Sequence, residues 1–221
     1  YENPSAPVEY RVEHLLSQMT LEEKVGQMLT SLGWPMYERV GEDIRLTPQL
    51  EKEIGEYHIG SRWGFMRADP WTQRTLHTGL NPSLAVRASN RLQSYVIEHS
   101  RLGIPLFLAE ECPHGHMAIG TTVFPTSIGQ ASTWNPELIR QMGRVIAIEA
   151  SAQGAHIGYG PVLDLARDPR WSRVEETYGE DPYLNGVMGT ALVRGFQGET
   201  LNDGKSVIAT LKHFASYGWT E

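Results

Sequence analysis

Short apolar runs alternate along this chain with longer segments of helical periodicity. The run Ile104-Pro105-Leu106-Phe107-Leu108-Ala109 is continuous and ends in Glu110-Glu111. Tyr159-Gly160-Pro161-Val162-Leu163 ends in Asp164, and Val207-Ile208-Ala209-Thr210-Leu211 ends in Lys212-His213. Strands buried on both faces read this way, and parallel sheets are made of such strands. Between the runs, Thr47-Pro48, Asn81-Pro82, Asn135-Pro136 and Asp181-Pro182 each join a capping residue to a proline. The first side chain accepts an orphan backbone N–H, and proline at the first helical position gives up a donor that had no partner. Leu138, Ile139, Met142, Val145 and Ile146 then follow helical spacing. Thr20-Leu21-Glu22-Glu23 has the form of a capping box, and Gly103 and Gly154 stand where helices should stop.

The pattern amounts to about six strand-helix pairs and predicts an α/β fold on a parallel sheet. A doubly wound sheet and a barrel both satisfy it. Polar clusters at the C-terminal ends of several strands favour a (β/α)8 TIM-like barrel, because barrel active sites are built there. A barrel needs about eight strands, so residues 1–221 read as one barrel domain whose last strands and helices are missing. The stretch from Gly33 to Gly79 reads as the most irregular part of the chain.

Length and composition narrow the function. The chain has 221 residues, 40% hydrophobic and 20% charged, which is globular usage. No apolar run approaches the roughly 20 residues of a membrane helix. The net charge is −7, the wrong sign for a phosphate-backbone binder or an anionic membrane surface. Neither nucleic acid nor membrane is therefore an expected partner. Cys112 is the only cysteine, which excludes an internal disulfide and a cysteine-built zinc site. Tyr1-Glu2-Asn3-Pro4 has no signal-peptide character and reads as a processed start. A secreted or periplasmic location is the expectation, with a cytoplasmic one as the alternative.

Three clusters carry candidate chemistry. The first is Glu110-Glu111-Cys112-Pro113-His114-Gly115-His116. Adjacent strand residues point to opposite faces, so Glu110 and Glu111 cannot both line one cavity within a strand. A carboxylate there either accepts hydrogen bonds from a polar ligand or caps and braces a loop. Two histidines two apart, with no third ligand, are a weak metal signal, and no metal is expected. The second cluster runs from Asp164 through Arg167, Asp168, Arg170, Trp171 and Arg173 to Glu175, Glu176 and Asp181. Most of these charges suit an ion-paired loop, and one arginine projecting from it would offer a planar fork to ligand oxygens. The third is Lys212-His213-Phe214, at the mouth of the sheet. Its lysine either snorkels to solvent, binds a ligand or forms a Schiff base.

Four segments together resemble the N-terminal domain of glycoside hydrolase family 3, the β-glucosidase and β-xylosidase family. They are Leu21-Glu22-Glu23-Lys24-Val25-Gly26-Gln27-Met28, Glu111-Cys112-Pro113-His114-Gly115, Asp168-Pro169-Arg170-Trp171-Ser172-Arg173 with Tyr178-Gly179-Glu180-Asp181-Pro182, and Lys212-His213-Phe214. They occur in the family's order and span nearly the whole chain. The resemblance implies a barrel and retaining hydrolysis, with two carboxyl groups about 5–5.5 Å apart as nucleophile and acid/base. It implies that Glu111 binds hydroxyls of the sugar in the −1 subsite, that Arg173 reaches the same sugar, and that Lys212 and His213 grip neighbouring hydroxyls. It implies no cofactor. The family nucleophile stands in a Ser-Asp-Trp-like setting beyond Lys-His-Phe, and the general acid stands in a following domain. No catalytic residue is therefore expected within these 221.

Two positions depart from the family pattern. Glu111 stands where β-glucosidase relatives usually have Asp, as xylosidase-like members often do, and Ser172 replaces a glycine. A side chain longer by one methylene pushes the carboxylate deeper, which bears on the choice between glucose and xylose. The expected function is a retaining exo-β-glycosidase releasing terminal β-linked glucose from an oligosaccharide or β-glycoside. The remainder of its own polypeptide is needed to close the barrel. The alternatives are a β-xylosidase, a non-catalytic sugar-binding module and a Lys212 Schiff-base lyase.

Overall fold

The computed structural model describes residues 1–215 and 217–219. Two helices open the chain, α1 (Val8–Gln18) and α2 (Leu21–Gln27), followed by β1 (Thr30–Leu32), β2 (Tyr37–Val40), β3 (Asp43–Leu46), α3 (Pro48–Tyr57) and β4 (Ser61–Trp63). Then come α4 (Pro82–His99), β5 (Phe107–Glu111), α5 (Ser127–Ala131), α6 (Pro136–Gln153), β6 (Ile157–Val162), α7 (Pro182–Gln197) and β7 (Ile208–Lys212).

Five strands form one parallel sheet in the order β1-β4-β5-β6-β7. Apart from the β2-β3 hairpin, which pairs separately and antiparallel, this is chain order. A doubly wound sheet reverses its order at a switch point; a barrel adds each new strand to the same side. The sheet is thus an arc of an incomplete α/β barrel.

The helices cover it with apolar stripes at helical spacing. Leu84, Ala88, Leu92 and Val96 of α4, Ile139, Met142, Ile146 and Ala150 of α6, and Met188, Leu192 and Phe196 of α7 are all buried in one core with Leu108 of β5. Each large side chain so buried contributes roughly 1.5–3 kcal/mol of hydrophobic stabilisation.

Most of the helix starts follow from the sequence. Thr20 and Glu23 exchange capping-box hydrogen bonds. Asn81, Asn135 and Asp181 each accept the N–H three residues on. Thr47 does not cap α3; its hydroxyl donates to the Pro35 carbonyl at 3.1 Å instead. Gly154 ends α6 in the left-handed region.

Two expectations change. The apolar run from Ile104 joins the sheet only at Phe107. Pro105 has no N–H to give a ladder, and Leu106 spends both its backbone groups on the Gln93 side chain. The stretch from Gly33 to Gly79, read as irregular, contains the hairpin, α3 and β4, with Gly41 at φ 62° between β2 and β3.

Candidate active site

Three parallel strands bring their C-terminal residues, and a fourth a residue from its middle, to one open cavity of about 850 Å³. β4 delivers Trp63, β5 delivers Glu111, β6 delivers Tyr159 and β7 delivers Lys212. Strand pleating decides which of two neighbouring carboxylates enters. Glu111 lines the cavity, while Glu110 lies on the other face of β5, about 1% exposed.

Glu111 is held at both oxygens. The Lys212 Nζ donates to its Oε2 at 2.7 Å, and the Trp63 indole N–H donates to its Oε1 at 3.1 Å. Both ion-pair partners are one-tenth exposed. A carboxylate offers about four acceptor sites and an ammonium three donors, so each keeps capacity for a ligand hydroxyl. The Lys212 ammonium also lies 5.7 Å from the centre of the Tyr159 ring.

His213 follows Lys212 into the cavity wall. Its Nδ1 lies 2.7 Å from Asp164 Oδ2, and its backbone N–H donates to both Asp164 oxygens at 3.2 and 3.3 Å. Asp164, two residues beyond β6 and buried, thereby fixes the imidazole. Arg173 arrives on the long loop after β6. It donates twice to Glu176, from Nε to Oε1 at 2.6 Å and from Nη2 to Oε2 at 2.5 Å. Burial raises the Glu176 carboxyl, and the Arg173 guanidinium, together with Lys212 and His213, more than offsets this, holding it below its ordinary value. The fork keeps N–H groups beyond the two Glu176 takes.

Aromatic rings gather beside the Glu111–Lys212 pair. Trp63, Trp71 and Trp34 pack edge-on or tilted with centroids 4.9–5.6 Å apart. The Arg67 guanidinium sits 5.4 Å from the Trp63 ring and 4.8 Å from the Trp71 ring, and its Nε pairs with Asp69 at 2.6 Å. Trp71 is more than half exposed at the rim. The cavity therefore joins hydroxyl-binding groups to apolar ring faces.

All four site residues expected from sequence, Glu111, Arg173, Lys212 and His213, line this one cavity. Sequence reasoning missed Trp63, Arg67, Trp71, Tyr159 and Glu176 as partners, and assigned no role to Asp164. His114 reaches the same cavity, whereas His116 is buried with neither ring nitrogen hydrogen-bonded, and burial pulls it down to about 4. Among the described residues, no group of three or more His, Cys, Asp or Glu side chains is placed to hold a metal ion.

Comparison with known proteins bears on the same arrangement. The periplasmic beta-glucosidase of Salmonella typhimurium is 36% identical over 211 residues, covering 95% of this chain and 24% of that protein. A beta-xylosidase of Formosa agariphila is 47% identical over 127 residues, covering 54% of this chain and 18% of its own. The crystal structure of a beta-glucosidase from Listeria innocua in complex with glucose superposes with a TM-score of 0.74 at 34% identity, covering 95% of this chain and 27% of that one. The chain spans about a quarter of the length of the first of these relatives. The model of the glycosyl hydrolase family 3 N terminal domain matches residues 20–221, and with the strand order and the site this means that the chain belongs to glycosyl hydrolase family 3.

Proposed function

We propose that this chain supplies the sugar-binding side of the −1 subsite of a retaining exo-acting β-glycosidase that removes terminal β-linked glucose. The observation that carries the reading is the Glu111–Lys212 pair, steadied by Trp63 and set beside the Asp164-braced His213 around one cavity. A pyranose presents adjacent hydroxyls, each both donor and acceptor. Glu111 accepts from them, and Lys212, His213 and Arg173 donate to them. Hydrogen bonds to charged partners are the strong ones, and those that tighten as the ring flattens towards an oxocarbenium ion lower the barrier.

The two-step displacement needs a nucleophile and a general acid, and we assign both to parts of the polypeptide outside residues 1–221. The same remainder closes the barrel between β1 and β7, so that 1–221 forms one domain with the strands that follow. Release of xylose is the second reading, favoured by the beta-xylosidase relative and by the length of Glu111. A Schiff base on Lys212 fits less well, because the ammonium is engaged by Glu111 at 2.7 Å and that chemistry needs a free neutral amine. An exported, periplasmic setting accords with the Salmonella relative.

Nitrophenyl glycosides test the proposal. The full-length polypeptide should hydrolyse the β-glucoside or the β-xyloside, and the 221-residue chain alone should hydrolyse neither. Turnover by the isolated chain would overturn the placement of the nucleophile, and a full-length protein inert on both would overturn the reading itself.

A further inference from the structure

Glu110 is the buried acid that the proposed chemistry leaves unused. It precedes Glu111 on β5, is about 1% exposed, and points away from the cavity. Its Oε1 accepts the backbone N–H of Met66 at 2.9 Å, and the N–H of Phe65 also faces the carboxyl. Its Oε2 has no hydrogen-bond partner.

Met66 belongs to the segment that leaves β4 and brings Arg67 to the cavity. The segment turns at Gly64, whose φ of 71° and close approach to Trp34 suit glycine. Phe65 and Met66 then plunge fully into the core, and Arg67 emerges between Trp63 and Trp71. Three hydrogen bonds pin this path. Gly64 N–H donates to Ala109 O at 2.8 Å, Met66 N–H to Glu110, and Ala68 N–H to Met117 O at 3.2 Å. Two of the pins are backbone carbonyls. The middle pin, directly before Arg67, is a side chain, and it hangs from the strand that delivers Glu111.

We propose that Glu110 is a positioning residue, whose buried carboxyl fixes the Met66 backbone and so sets Arg67 and its two tryptophans against the sugar-binding carboxylate on the next position of the same strand. The proposal deepens the glycosidase reading and rests on it for its kinetic arm only. Burial pushes the Glu110 carboxyl up to about 8, against the opposing pull of the Met66 and Phe65 N–H groups, with Glu111 raising it and Arg67 lowering it further. The other groups facing it are Tyr37 of β2 and Cys112. Burial pushes the Tyr37 hydroxyl up to about 12 and the Cys112 thiol well up. Both therefore stay neutral while Glu110 ionises. An ionised carboxylate is the better acceptor for the Met66 and Phe65 N–H groups, but its charge, buried against neutral neighbours, draws in water or shifts the side chain, and the alignment of Arg67 changes with it.

The sign follows from linkage. A carboxyl whose folded value is raised favours the folded state fully at low pH and loses that contribution as pH rises from about 4.5 through about 8. Glutamine keeps the Met66 acceptor and removes the ionisation.

The test compares full-length wild type with Glu110→Gln and Glu110→Ala at about pH 6 and about pH 9. In wild type, KM for the β-glycoside should climb severalfold at the higher pH, while Glu110→Gln matches wild type at the lower pH and stays flat. Glu110→Ala should raise KM about tenfold at the lower pH with a smaller loss of kcat, the mark of lost positioning. A second readout does not depend on turnover. Tryptophan emission, reporting Trp63 and Trp71 around Arg67, should shift near pH 8 in wild type and not in Glu110→Gln. Superimposable emission profiles for wild type and Glu110→Gln would overturn the proposal even if Glu110→Ala fails to fold. Divergent emission in a protein inert on glycosides would uphold the strut while refuting the sugar reading.

Discussion

Arg173 carries a question of role that its geometry sharpens. Its bidentate grip on Glu176 is the signature of a braced loop, yet the cavity contains both. If it also contacts the sugar of the proposed reaction, Arg173→Ala in the full-length polypeptide should cost about 1.5–3 kcal/mol of transition-state stabilisation, the value of a hydrogen bond to a charged group. Steady-state kinetics read this as a fall of roughly ten- to a hundredfold in kcat/KM; a fall under about threefold would make Arg173 a brace. The four sugar-binding candidates were legible because each ends an apolar run or belongs to a distinctive local motif. Trp63, 48 residues from Glu111, was not. Its hydrogen bond is made by lateral strand pairing, and nothing near residue 63 announces residue 111. Asp164 and Glu176 sat in plain view among other acids, and only the folded loop distinguishes the charges that meet the cavity from those that meet each other.

Among elements, α6 and α7 pack closely. A Cβ at Gly195 would lie 2.4 Å from the Arg140 carbonyl oxygen and 2.8 Å from the Gly143 Cα. Alanine in a helix interior gains about 1 kcal/mol over glycine, but overpacking against rigid backbone costs about 1–3 kcal/mol or more. Gly195→Ala should therefore lower the melting temperature, and calorimetry showing a rise would mean that the two helices separate easily. Helix starts were readable because a cap and a proline act within four residues. The β2-β3 hairpin was harder to read. Its signal is a glycine between two four-residue runs, embedded in a stretch rich in aromatic and arginine residues whose partners lie elsewhere in the fold.

For the whole molecule, alternation of strand and helix made the fold class readable, while the barrel-like strand order emerged only from the pairing. The sheet's outer strands, β1 and β7, have no further strand paired to them among the described residues, and Leu32, Ile208 and Leu211 on them are exposed. Unpaired, apolar strand edges invite association. The isolated 221-residue chain should self-associate with rising concentration in sedimentation experiments, and Leu211→Lys should reduce this; a concentration-independent monomer would refute the expectation. The cavity, finally, draws its strand-borne groups from one end of the sheet. The opposite end holds none of them, so side chains there can be recombined for stability while every group that lines the cavity stays where it is.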